Sequence, residues 1–477
     1  MNKEEIYNYC KNIVKKENIT FTYINSEKES SEINKFKIED YRNTFSEKLF
    51  IRVIEKNNIG EYNLQILNKE NIQKGIKKAK EIARIKKSEV KFKNFGKDVS
   101  NKKIKFDKKI KEIEFSEILT DVKKNLTKEK YITGYLGGIS KIKLNSFVIN
   151  PYFEKENEKS FINQGTLVLT KDKKRSSGEF TNIYTKKEDV KISDNFLQAK
   201  INAYNLLNPK DGKKGEYTLI FTPEVTKSFI GFILAGTKGE EINKKTSFLY
   251  NYVNKKIFSK NLTIKENPHL DFFLGSDFID DEGFKTTKKD IFKEGVFKKP
   301  IYDLYSSIKY KKKPTGNGFL LNNYQASYTN KIQEEGSKKI NDEISKTKKG
   351  ILIYELLGFH TNKITTGDFS LTISSGKIIE NGTFKKTITN LNFTGNFKDI
   401  LKDAYFSKEQ KFFGNSLYSF TIIPNLKLFW KIIIKVIYFV NYSFRKRIFF
   451  VFTKNNTFFL KSRNNIFYNF IRISRIN

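Results

Sequence analysis

The tightest constraint on this chain is residues 350–401, GILIYELLGFHTNKITTGDFSLTISSGKIIENGTFKKTITNLNFTGNFKDIL, because its turn residues leave few choices of register. Asn381-Gly382 sits between two strand-like runs, 377–380 and 383–387. Both turn residues tolerate positive φ, so the segment predicts a tight hairpin. Upstream, Phe369, Leu371 and Ile373 alternate with Ser370, Thr372 and Ser374, the period of a half-buried strand. The apolar run 351–357 ends at Gly358 and predicts a buried strand. Thr366-Gly367-Asp368 is a turn, in which Asp368 is expected to cap and to fix the neighbouring strand. Thr394-Gly395-Asn396 closes the unit, with Asn396 placed to cap a helix starting at Phe397.

Three motifs in this order, ELLGFHTNKITTGDFS (355–370), SSGKIIENG (374–382) and FTGNFKDIL (393–401), resemble the C-terminal core of the TldD/PmbA family, also called modulators of DNA gyrase and regarded as metallopeptidase subunits. The likeness is greatest to the PmbA, or TldE, branch. It singles out Gly358, Gly367, Asp368, Ser370, Gly376, Glu380, Gly382, Gly395 and Asn396 as family-motif residues that are structural or line a substrate chamber.

A chain of 477 residues exceeds one ordinary domain, so two cores are expected. The expected fold is α+β, with a mixed N-terminal domain (1–208), a C-terminal domain rich in antiparallel β (209–430) and an atypical apolar, basic tail (431–477). The boundary falls in the polar segment NPKDGKKG, residues 208–215. In the first part, helices are expected at 71–87, 115–126 and 194–207, and strands at 20–23 and 48–55. Strand-like runs fill 131–184, with a turn near Ser176-Ser177-Gly178. Ile6, Tyr9, Cys10, Ile13 and Val14 mark one face of an opening amphipathic helix, which lacks the uninterrupted apolar core of a signal peptide. With Cys10 the only cysteine, a disulfide framework is excluded and a cytoplasmic setting is expected.

The formal charge of +37 would attract phosphate non-specifically. Lysine, asparagine, isoleucine and phenylalanine are inflated together, and the lysines are spread along the chain. No helix-turn-helix, zinc-finger or RRM signature is present, so no specific nucleic-acid partner is expected. The tail contributes ten of these positive charges and has no Asp, Glu, Gly, Pro or Ala from Lys431 onward. Residues 430–442 fall short of the ~20 apolar residues of a membrane span. This shift in usage reads as an out-of-frame or read-through extension.

The stretch TPEVTKSFIGFILAG, 222–236, predicts a buried helix capped by Thr222, with Pro223 at its first position and Glu224 against its positive end. The resemblance implies that the TldD branch carries an HExxxH metal motif on this helix. Laid along the flanking segments, the first His falls at Gly231, the Glu at Phe232 and the second His at Gly236. The family's further cysteine ligand has no counterpart either. The resemblance thus implies no catalytic residue, metal or cofactor in this chain. Zinc or a similar divalent metal is expected in a TldD-like partner, the two forming a heterodimer that hydrolyses unfolded polypeptides or small peptides. The alternative is a peptide- or protein-binding scaffold without peptidase activity.

His269 and His360 are far apart and read as loop residues. Asp280, Asp281 and Glu282 precede Gly283 and read as a polar turn, while 290–296 reads as a hairpin with Gly295 at its bend. The Gly-rich loop 313–318 lacks the lysine and helix of a phosphate cradle.

Overall fold

The computed structural model describes residues 1–86, 88–320 and 325–430, together with three short strands near the C-terminus. Met1–Lys431 forms one compact unit and Ile432–Asn477 a second. In the second, Phe449–Phe452, Phe458–Ser462 and Asn465–Phe467 make a three-stranded antiparallel sheet. The rest of the expected tail, and with it the read-through reading, lies outside the described residues. Among the described residues no helix is long and apolar enough to cross a membrane.

The fold is α+β, with two mainly antiparallel sheets. The first comprises β1 (Ile19–Lys35), β2 (Lys37–Glu55), β3 (Asn58–Leu64), β4 (Ile132–Ile149), β5 (Glu154–Lys171) and β6 (Arg175–Tyr184), ordered β3-β2-β1-β4-β5-β6. Helix α1 (Lys3–Val14) buries Ile6, Cys10 and Val14, and α2 (Lys69–Ile85) buries Ile72, Ile76, Ala79 and Ala83. These helices share a core with Phe21, Tyr23, Ile51 and Phe147 of the sheet. Helices α3 (Phe115–Asn125) and α4 (Ile192–Asn205) cover the other end around Tyr135, Ile139 and Val168. The helices match expectation to within two residues.

Two expectations fail here. Strands β1 and β2 continue far past the apolar runs at 20–23 and 48–55, through a polar stretch that remains paired from Ile19↔Val53 to Asn34↔Lys37. Backbone hydrogen bonding sustains a ladder whose side chains mostly meet solvent, so no hydrophobic alternation marks it. Ser176, Ser177 and Gly178 lie inside β6, the bend falling just before it at 172–174. Gly178 is there for contact, since a Cβ would sit 2.0 Å from the backbone nitrogen of Ala203 in α4.

The second sheet has twelve strands: β7 (Lys210–Asp211), β8 (Gly215–Phe221), β9 (Ile264–Glu266), β10 (Lys289–Lys293), β11 (Val296–Phe297), β12 (Lys331–Gln333), β13 (Lys349–Leu357), β14 (Asp368–Glu380), β15 (Thr383–Thr389), β16 (Leu391–Asn396), β17 (Tyr405–Phe412) and β18 (Ser416–Trp430). Its centre is β18-β8-β13-β14, with β13 parallel to β8 and antiparallel to β14. Helix α5 (Pro223–Ala235) lies over this centre and buries Phe229, Ile230, Ile233 and Leu234. The predicted hairpin joins β14 to β15, with φ of 47° at Asn381 and 75° at Gly382. The second hairpin, β10–β11, bends at Gly295 as expected (φ 77°).

Candidate functional site

Helix α5 starts where Pro223 follows the extended Thr222, although the Thr222 hydroxyl makes no cap bond. Its register on the sheet is held by a buried contact of 2.8 Å between the hydroxyls of Thr226 and Thr421. That register fixes where each metal-motif position points. Gly231 is exposed, and a Cβ there would meet nothing within 4 Å. Phe232 is half-buried and stacked on Phe397, with ring centroids 4.7 Å apart and planes 18° apart. Gly236 ends the helix at an ordinary φ of −74°, but a Cβ there would lie 2.8 Å from the Ser247 hydroxyl. A glycine offers no donor and a phenylalanine no base, so these side chains do not fit a metal. Among the described residues, no group of three or more His, Cys, Asp and Glu could hold one.

Phe397 occupies this place because of the strand unit beneath it. Asn396 and Asp368 are cross-strand partners on β16 and β14. The Asn396 amide donates to Asp368 Oδ1 at 2.9 Å and to the Thr366 carbonyl at 2.8 Å. Its own oxygen accepts from the Lys398 N–H at 3.0 Å, capping the one-turn helix α6 (Phe397–Ile400). Bonds from Thr366 and Asn396 hold the exposed Asp368 carboxyl below the usual range. Gly367 (φ 79°) passes under Phe248, and Gly395 under the ring of Phe369. Phe397 is thereby delivered, fully buried, against Phe229 at 4.6 Å and Phe369 at 5.0 Å.

The remaining motif residues shape the sheet. Gly358 ends β13 at φ 104°, and Gly382 packs against the Ser345 carbonyl. Gly376 is buried beneath Ile351, while Ser370 and Glu380 are exposed on β14.

The acidic cluster forms the expected turn but is largely buried. The chain does bend at Gly283 (φ 88°), yet Asp280 and Glu282 are wholly enclosed. Asp280 accepts from the N–H groups of Glu282, Phe284 and Gly318. Glu282 accepts from Arg52 Nη1 of β2 at 2.9 Å and from the Leu304 N–H at 2.6 Å. Burial pushes its carboxyl up to about 7 against the pull of Arg52, with Asp303 adding to the rise. Beside it, Lys155 of β5 pairs with Asp277 and Asp281 at 2.7 and 2.8 Å. These carboxylates are consumed in joining the two sheets. The glycine loop packs onto them too, since a Cβ at Gly318 would overlap Glu282.

His269 stacks on Phe278 at 4.4 Å and meets the Thr286 hydroxyl at 3.1 Å. His360 is exposed in the single turn Phe359–Thr361. Sequence reasoning missed Arg52 and also Lys227, Lys331 and Lys411, which the fold brings to one turn. No local pattern links residues so far apart.

Residues 214–428 match the family model for the PmbA/TldA metallopeptidase C-terminal domain. A metalloprotease PmbA homolog of Buchnera aphidicola is 29% identical over 237 residues, 49% of this chain and 51% of the relative. The chain spans about half the length of the first curated relatives it matches, or less. Among solved structures, a Bacteroides thetaiotaomicron protein bearing the gyrase-modulator name superposes with a TM-score of 0.81 at 20% identity, covering 90% of this chain and 98% of that one. TldE from Thermococcus kodakarensis gives 0.78 at 19%, covering 88% and 99%. At such identities the structural likeness speaks for the fold.

Proposed function

The chain belongs to the TldD/PmbA family, and from that premise we propose that it is a TldE-like, non-metal subunit of a cytoplasmic peptidase complex. Its partner would be a TldD-like chain that holds zinc or a similar divalent ion and hydrolyses unfolded polypeptides or small peptides. The observation that carries this reading is the stack of Phe232 on Phe397. The position corresponding to the general base in a metal-bearing relative is closed by two rings with no proton to move. Within such a complex this chain encloses the chamber and holds an extended substrate, whose main-chain groups can be bonded regardless of sequence.

The test is co-expression with a TldD-like protein of the same organism. Co-purification and hydrolysis of an unfolded polypeptide are measured for each chain alone and for the pair. The reading expects a stable complex and hydrolysis that depends on the partner's metal motif. Hydrolysis by this chain alone, or failure of the two to associate, overturns it.

A further inference from the structure

Three lysines from separate elements surround the turn between β17 and β18. Lys227 lies on α5, four residues before Gly231 and therefore on the same open face of the helix. Its ammonium stands 4.5 Å from the centre of the Phe413 ring, and that of Lys411, on β17, stands 5.5 Å from it. Lys331 begins β12, where it is opposite Ser416 of β18. Its N–H donates to the Asn415 carbonyl at 3.1 Å, and the turn is closed by the Phe413 N–H donating to Ser416.

The negative charge nearby does not balance these groups. Glu224 is taken by Lys411 at 2.6 Å. Glu266, buried beside Lys331 on the neighbouring strand, pairs with Lys289 at 3.0 Å and accepts from Asn317 and Thr329. Among the described residues, Lys227 and Lys331 have neither an ion-pair nor a side-chain hydrogen-bond partner. Burial pushes the Lys331 ammonium down to about 8, with Glu266 opposing and Lys227 adding to the fall. Lys227 is lowered by burial and by Lys411. A partly desolvated Lys331 cation repelled by the neighbouring Lys227 is costly in the free protein, and an arriving anion relieves that cost.

We propose that Lys227, Lys331 and Lys411, set around Phe413, form a seat for a carboxylate of a bound peptide. This rests on the peptide-handling role above and names the group recognised. Phe413 gives an apolar wall to the residue carrying the carboxylate, and the ammonium groups bond its oxygens. The carboxylate could be the α-carboxylate of the chain end or the side chain of an Asp or Glu.

The test is fluorescence anisotropy with the isolated full chain and a labelled alanine-rich hexapeptide, in about 0.15 M salt to screen the general positive field. Three forms are compared: a free C-terminus, a C-terminal amide, and an amide with one internal Asp. We expect the free acid to bind at least tenfold tighter than the amide. Lys331→Met should abolish that preference and Lys227→Met should reduce it several-fold. Each variant changes only one charge of a +37 chain, so such losses are local. Tight binding of the internal-Asp amide places a side-chain carboxylate in the seat. Equal binding of all three forms, or a preference that survives both substitutions, overturns the proposal. No partner chain is needed, so failure here leaves the co-purification result standing.

Discussion

Two buried regions solve the same problem in opposite ways. Around Phe397, four rings fill the space beside α5 and leave nothing polar to satisfy. Around Glu282, carboxylates lie just as deep, but each oxygen faces an N–H group or a cation. The first region is stabilised by area and packing, which act additively over many contacts. The second depends on every partner being present, because an unpaired buried charge costs several kcal/mol. Both are parts of the scaffold, and the lysines proposed above as a carboxylate seat lie in neither.

Breaking the aromatic region has the largest expected effect. Phe397→Ala removes the ring shared by Phe229, Phe232 and Phe369 and should lower stability by about 3–5 kcal/mol in urea denaturation. Next is Arg52→Met, which strips Glu282 and Glu61 of their cation. Protonation of Glu282 limits the damage, so a loss of about 2–3 kcal/mol at neutral pH is expected, shrinking toward acid. A fall that is the same at pH 5 and pH 8 would count against the ion-pair account.

Glu282 itself sharpens the contrast through pH. Its folded carboxyl stands at about 7 against 4.5 for the free group, so the unfolded chain releases the proton first as pH rises. The stability it contributes is fully present below about 4.5 and is lost as pH rises through about 7. Glu282→Gln cannot titrate. Between these values the wild-type protein should lose stability relative to that variant, and parallel melting curves would refute the assignment. The smallest effect is a gain. Gly231→Ala adds a methyl into open space on a helix and should stabilise by about 0.5–1 kcal/mol in the same urea assay.

Much of the second sheet was legible because its signals are local. The Asn381-Gly382 turn, the alternation of Phe369, Leu371 and Ile373, and the cap at Asn396 each depend on residues within a few positions. The long β1–β2 ladder was not, because its polar side chains carry no period and only backbone pairing holds it. The burial of the cluster 280–282 was hidden for a related reason. The acidic residues before Gly283 do form the turn, but nothing nearby announces that Arg52 will reach them.

What the sequence alone determined is the chemistry missing from α5: Gly231, Phe232 and Gly236 lack donor atoms in any fold. It also determined the turns, whose backbone angles only certain residues tolerate. Tertiary structure alone decided which charges are buried, which are paired, and that Lys227, Lys331 and Lys411 meet at one turn. Burial and pairing depend on what distant segments bring alongside, and a charge takes its energy from that surrounding medium.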